Sequence, residues 1–373
     1  MVITVSGARR LFRLSAVALL SCCLGSAVAQ AGTRQVPDLL DLPARVDARA
    51  QHGLQLAVAR AGDRLVAVGV RGNVVLSDDA GRSWRQARSV PVSVALTSVH
   101  FVSASEGWAA GHGGIVLHSA DGGETWSRQL DGRQAAALVL DEARARLAAG
   151  EERAARAVRD AERMVEEGPD KPLLGVYFVD TQRGYVVGAY GLAFTTADGG
   201  KSWQSITGLI PNPRGKHLYQ VQVEGDDVLI AGEQGALFRS TDGGTQFAAL
   251  QTPYAGTFFG AVMVDHERLL AFGLRGNAWL SEDAGLSWNQ VPIDQDITLT
   301  TGARLPDGSV VLADESGRLL RSTDGARSFR ALPLPAATGL TGFVPAADGA
   351  LVVAGARGLA RVEQNRILAE AKQ

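Results

Sequence analysis

Short apolar runs separated by clusters of Gly, Asp and Ser recur along most of the chain. LQLAVARAGDRLVAVGV and LTSVHFVSASEGWAAGHGGIVLHS show the pattern well. Runs of this length bounded by turn formers predict short buried strands, being too brief for core helices.

Two features repeat inside that rhythm. The first is a hairpin in which a hydroxyl residue ends one strand, an Asp and two small residues make the turn, and an aromatic opens the next strand. It occurs as SDDAGRSW from Ser77, SADGGETW from Ser119, TADGGKSW from Thr196, STDGGTQF from Ser240, SEDAGLSW from Ser281 and STDGARSF from Ser322. These are Asp-boxes. Asp79, Asp121, Asp198, Asp242, Asp283 and Asp324 can each accept hydrogen bonds from their own turn, while the glycines take positive φ. Trp84, Trp126, Trp203 and Trp288 supply rings that pin the turn to its sheet. Each carboxylate is thus explained by its own hairpin and reads as structural. Ala326 replaces the second glycine of the last box, so strain is expected there.

The second feature lies upstream of each box: a small-residue turn followed by a short apolar strand. GVRGNVVL, GHGGIVLH, GAYGLAFT, GEQGALFR, GLRGNAWL, DESGRLLR and GARGLARV make seven copies against six boxes. The boxes start at positions 77, 119, 196, 240, 281 and 322, so successive starts differ by 42, 77, 44, 41 and 41. A period near forty predicts an all-β fold, a seven-bladed β-propeller with Asp-box hairpins and one helical insertion. A ring must bury the edges of its first and last blades, and Asp38 to Val46 is the expected source of the last blade's missing outer strand.

The long interval contains DEARARLAAGEERAARAVRDAERMVEEG, Asp141 to Gly168. Its Ala, Glu and Arg content and the Glu142/Arg146 and Glu152/Arg156 spacings predict a helix or helical hairpin over about 134–168, broken near Gly150 and stopped at Gly168-Pro169. The expected apolar stripe is Leu147, Ala154, Val158, Ala161 and Val165. In an up-down-up-down blade the insert shares a face with the Gly-x-x-Gly turns, and the boxes occupy the opposite face. The insert reads equally as a solvated excursion or as a partner-binding arm.

At the third position of those turns stand Arg71, Gly113, Tyr190, Gln234, Arg275, Ser316 and Arg357. Guanidinium groups pair well with carboxylates. Arg71, Tyr190, Gln234, Arg275 and Arg357 are therefore the candidate partner-binding residues, the alternative being a solvated rim.

A formal net charge of −2 gives no basic stripe for nucleic acid. Arg9, Arg10 and Arg13, the apolar run from Leu14 to Leu24 and Ala27-Val28-Ala29 read as a signal peptide over 1–29, leaving 30–373 as the propeller. The apolar run is too short for an ordinary spanning helix, so the mature chain is expected to be exported, periplasmic and monomeric, with no transmembrane segment. Arg9-Arg10 partly matches a twin-arginine signal, and Leu19-Leu20-Ser21-Cys22 resembles a lipobox, which would make a lipoprotein anchored through Cys22. The chain has two cysteines, both in this leader, so cleavage after Ala29 would leave no thiol. The histidines show no ligand spacing, and no cofactor or metal is expected. A sialidase-type enzyme would need an arginine cluster and a tyrosine nucleophile with a partner Glu. No Arg-Ile-Pro tripeptide occurs, and Tyr177, Tyr185, Tyr190, Tyr219 and Tyr254 have no evident Glu partner.

Taken together, the paired turn and box patterns, with EGWAAGHGGIVLHSADGGETW as the clearest blade, resemble the photosystem II stability and assembly factor family of exported BNR-type propellers over residues 40 to 364. The resemblance implies a non-enzymatic scaffold that binds a membrane-protein partner or envelope complex through an arginine-bearing face, to which Arg71, Arg275 and Arg357 would correspond. The alternative is a sialidase-like glycan-binding or glycoside-hydrolysing propeller. The long Ala/Glu/Arg insert departs from the family pattern.

Overall fold

The computed structural model describes residues 37–332 and 339–363. The expected leader, Cys22 included, and the chain after Glu363 lie outside the described residues.

Seven antiparallel sheets follow one another, over residues 55–86, 96–130, 173–205, 218–249, 258–291, 299–331 and 340–362. The first six carry four strands in sequential order, and the seventh carries three among the described residues. Each innermost strand packs on that of the next blade, and Leu340–Pro345 packs back on Gln55–Ala61 to close the ring.

Neighbouring inner strands share no ladder, so their edge groups need other partners. Side chains supply them. Thr97 Oγ1 donates to the Leu173 carbonyl at 2.7 Å, Thr300 Oγ1 to Leu340 at 2.7 Å, and Thr341 Oγ1 to Gln55 at 2.7 Å. In the other direction, Gln220 Oε1 accepts from Ala261 N–H at 2.7 Å and Gln222 Oε1 from Met263 N–H at 2.9 Å. Between blades the core is apolar, as where Trp108 stacks on Phe178 with centroids 3.6 Å apart.

The Thr341 bond is the ring closure, and it corrects the expected closing strand. Asp38 to Val46 does not pair with the last blade. Its backbone bonds run to the link between blades 1 and 2, with Ala44 N–H on Val90 O at 3.0 Å and Ser93 N–H on Leu39 O at 2.8 Å. Leu40 is buried there among the apolar residues of blades 1 and 2, and hydrophobic burial outweighs strand pairing for this segment. The short 3-10 turn Ala50–His52 packs instead against the last strand of blade 7.

The two faces are distinct, as expected. His112 N–H bonds to Ala95 O at 2.8 Å, which places a Gly-x-x-Gly turn beside an interblade link. Gly122 N–H bonds to Ser105 O at 2.9 Å, which places an Asp-box beside the first hairpin of its own blade, at the other end of the strands. We call these the turn face and the box face.

The insert forms α1 (Gly132–Ala148) and α2 (Ala154–Glu167), packed on the turn face. Asp131 caps α1 through Arg133 N–H and Gln134 N–H, and Gln134 completes the capping box. Gly150, at φ 91°, breaks the pair, and Gly168, at φ 84°, ends α2 before Pro169. The buried stripe differs from the expected one. α1 buries Ala135, Ala136, Val139 and Ala143, and α2 buries Ala154 and Ala161, whereas Leu147 and Val165 are exposed. Small residues win these positions because the helices lie close to the blade, with Gly132 against Gly114. Glu142 pairs with Arg146 at 3.3 Å, but Arg156 pairs with Asp160 rather than Glu152.

The boxes repeat one hydrogen-bond plan. In the first, Ser77 Oγ donates to Asp79 Oδ1 at 2.8 Å and accepts from Gly81 N–H at 2.8 Å. Asp79 also takes Ser83 N–H at 2.8 Å and Ser83 Oγ at 2.6 Å. The expected strain is shared. Ala326 has φ 68°, but Ala80 and Ala284 hold φ 60° and 61° at the preceding turn position.

Candidate partner-binding face

Each Gly-x-x-Gly turn reverses the chain between the second and third strands of a blade. In five blades its third residue sits in the left-handed region: Arg71 at φ 59°, Gly113 at 70°, Tyr190 at 59°, Gln234 at 53° and Arg275 at 57°. The glycine that follows is left-handed too. At Gly72 a Cβ would lie 2.0 Å from Val92 O, and at Gly235 2.2 Å from Tyr254 O. Of the two left-handed positions only the first can therefore carry a side chain, and in four blades it is a large one pointing to solvent. Arg71, Tyr190, Gln234 and Arg275 are all exposed.

Blades 6 and 7 depart from this geometry. Asp314 gathers Ser316 N–H at 2.9 Å, Ser316 Oγ at 2.7 Å and Arg318 Nε at 2.6 Å, so Ser316 is engaged within its own turn. Arg357 lies in a tight hairpin between the paired residues Gly355 and Gly358, exposed but not left-handed.

The predicted residues fall into separate neighbourhoods. Arg71 lines a cleft of about 600 Å³ with Arg45, Arg49, Leu39 and Val46. Leu39 and Val46 are exposed apolar residues of the lead-in segment, and Asp47, also in the cleft, accepts Arg49 N–H at 2.9 Å. Tyr190 and Gln234 meet the same interblade link: Tyr190 N–H donates to His217 Nδ1 at 2.8 Å, and Lys216 Nζ to Gln234 O at 2.9 Å. Lys171 Nζ stands 5.2 Å above the Tyr190 ring. Arg275 occupies blade 5, two blades before Arg357.

Ion pairs form on both faces, the turn face holding Arg133 with Asp38 at 2.6 Å and Arg318 with Asp314 at 2.6 Å. On the box face Arg64 pairs with Asp78 at 2.6 Å, Arg82 with Asp348 at 2.8 Å, Arg183 with Asp180 at 3.0 Å and Arg321 with Asp307 at 2.6 Å. On the turn face Arg45, Arg49, Arg71, Arg214, Arg275 and Arg357 have no ion-pair partner among the described residues. The lead-in cations and Arg214 escaped the repeat-based reading because they lie in links between repeats. Their signals are the basic lead-in PARVDAR and the Pro-flanked PNPRGK, Pro211 to Lys216.

Among the described residues, catalytic geometry of the sialidase kind does not assemble. Among the described residues the inner strands carry two arginines, not a triad. Arg60 pairs with Asp63 at 3.6 Å, and Arg304 with Glu224 at 3.8 Å. Tyr177 stacks on His100 at 4.3 Å, and burial pushes its phenol above the ordinary value. Tyr185 donates to Gly243 O at 2.7 Å, tying blade 3 to blade 4. The box carboxylates are occupied by their own turns. Hydrogen bonds from the Ser83 hydroxyl and backbone lower Asp79 to about 2, and those from Ser202 do the same for Asp198. Among the described residues no group of three or more His, Cys, Asp or Glu is placed to hold a metal, and no helix is long and apolar enough to cross a membrane.

With the fold and this face described, likeness to known proteins decides the family. The sequence profile of the family described as photosynthesis system II assembly factor YCF48 matches residues 54–150 and 154–319. The chain belongs to this family. The gap between the two matched stretches falls at the α1–α2 turn. A curated relative, the photosystem II assembly lipoprotein Ycf48 of Synechococcus sp. (strain CC9902), is 30% identical over 145 residues, which cover 37% of this chain and 42% of that protein. The match thus spans less than half of the relative's length. Among solved structures, YCF48 bound to D1 peptide superposes with a TM-score of 0.60 at 17% identity, covering 86% of this chain and 98% of that one. A GH74 xyloglucanase from Xanthomonas campestris superposes at 0.57 with 13% identity, covering 83% and 52%. These likenesses establish the seven-bladed propeller.

Proposed function

We propose that this protein is a non-enzymatic exported scaffold that holds a segment of a membrane-protein partner on its turn face, through Arg71, Tyr190, Gln234, Arg275 and Arg357. One observation carries the reading. Large side chains are held outward in the left-handed region on a face where Arg71, Arg275 and Arg357 have no ion-pair partner among the described residues. A left-handed non-glycine residue is strained by about 1–2 kcal/mol, and strain retained at four blades is reason to look for function there. Unpaired guanidinium groups suit carboxylates and carbonyls of an extended segment. Family membership supports an assembly role, and the D1 peptide held by the solved YCF48 supports a membrane-protein segment as the ligand class.

We place the protein on the periplasmic side, as a free monomer or anchored through Cys22, in keeping with its lipoprotein relative. Site-specific photocrosslinking in the native envelope tests the binding face. Crosslinkers at positions 71, 190 and 357 should capture a membrane protein that one at Lys201, in a box, does not; equal capture from both faces would remove the proposal. Steady hydrolysis of a fluorogenic sialoside or of xyloglucan by the purified chain would instead establish a glycosidase. The paired state of Arg60 and Arg304 supports expecting none.

A further inference from the structure

The helical insert builds a slot of its own against the link between blades 3 and 4. A cleft of about 640 Å³ runs between α2 and that link, and it shares Met164, Tyr190 and Pro213 with a neighbouring cleft of about 350 Å³. Pro211 and Pro213 are exposed on one wall, and Tyr190 is 57% exposed. The acids of the slot are already used. Glu142 and Glu151 both hold Arg146, and Asp160 holds Arg156 and Arg163. Arg153, which lines the larger cleft, and Arg214, which lines the smaller, are exposed and have no ion-pair partner among the described residues. The slot therefore offers two guanidinium groups outside any contact ion pair beside a thioether, an aromatic ring and two prolines.

We propose that this slot binds an extended acidic segment of a partner protein, seating one apolar side chain of that segment between Met164 and Tyr190 and pairing its carboxylates with Arg153 and Arg214. The proposal rests on the turn-face reading and extends it to the insert. Met and Tyr contribute adaptable and rigid apolar contact respectively, and the two arginines add charge recognition. The link is ordered in advance: Asn212 Nδ2 donates to Lys216 O at 2.9 Å, and Asn212 Oδ1 accepts Lys216 N–H at 3.0 Å. Binding there orders little new backbone. A concave slot with two separated cations suits a chain segment, where an anionic membrane would be met by a broad flat basic surface.

Fluorescence anisotropy of the mature chain with short labelled peptides tests this. An acidic peptide with one Leu is expected to bind, and to lose at least about tenfold when Leu becomes Ser or its acids become Lys. Arg153→Glu with Arg214→Glu should lose a similar factor, Arg153→Lys with Arg214→Lys should retain binding, and Lys201→Glu on the box face should leave it unchanged. Equal binding of the basic peptide, indifference to the paired Glu variant with an unaltered melting curve, or binding to phosphatidylglycerol vesicles that the same variant abolishes would each overturn the slot. Failure here with capture at positions 71 and 357 intact sinks the slot alone. Peptide binding without any turn-face capture sinks the wider reading alone.

Discussion

A single turn residue separates two requirements. At Arg71 the left-handed backbone is tolerated and the side chain is free; at Gly72 the carbonyl of Val92 leaves no room for any side chain. Arg71→Gly is expected to leave stability within about 1 kcal/mol of the parent, strain relief opposing the added freedom of the unfolded chain. Gly72→Ala adds a clash to the strain and is expected to lose roughly 2–4 kcal/mol, read as a shift of the urea midpoint. His100 gives a second prediction at this scale. Its Nδ1 accepts Phe178 N–H at 3.3 Å, its ring stacks on Tyr177, and burial lowers its pKa to about 4. The folded value lies below the unfolded one near 6.5, so the unfolded chain binds the extra proton between them. Stability should therefore be fully present above about pH 6.5 and fall as pH drops toward 4. His100→Asn should flatten the dependence of melting temperature on pH in that window, and an unchanged slope would count against it.

The Asp-box is the element most legible in the chain, because everything that shapes it lies within eight residues. Ser119, Asp121 and Thr125 bond to one another as the spacing requires, and Trp126 donates to Gly123 O at 2.9 Å while its ring meets Phe101 edge-on. Asp121→Ala should lower stability by about 1–3 kcal/mol, the usual result of orphaning partly buried donors, with the near-ultraviolet signal of the folded chain retained. The box carboxylates titrate outside the His100 window. Asp79 and Asp198 lie below their unfolded value, so their stabilisation is present above about pH 4 and lost as pH falls toward 2. The closing of the ring was not legible. It depends on lateral bonds such as Thr341 to Gln55, 286 residues apart in the chain, and no local pattern marks a Thr as an interblade tie. The insert was legible as two helices but not in its buried face, because Ala135, Val139 and Ala143 are selected by the blade beneath them rather than by helical periodicity.

Over the whole molecule a formal net charge of −2 averages away a division between arginines that hold acids and arginines that, among the described residues, do not. Arg361 illustrates one side of it: paired with Asp348 at 2.8 Å and Glu363 at 2.9 Å, it also donates to Ala80 O and so joins blade 7 to the first Asp-box. Arg357, four residues earlier on the same hairpin, lies on the turn face with no ion-pair partner among the described residues. The two should respond oppositely to substitution. Arg361→Ala strands its acids at the blade 7 to blade 1 seam and is expected to lower the melting temperature while partner capture per folded molecule stays unchanged. Arg71→Glu with Arg357→Glu should leave the melting temperature nearly unchanged and weaken capture at least about tenfold, since two attractive contacts become repulsive. Exposed charges are screened within roughly 10 Å at 0.1 M salt. Capture by the parent should therefore fall as salt rises, and the Glu variant should lose most of that dependence. A salt response that survives in the variant would mean that the binding charge lies elsewhere.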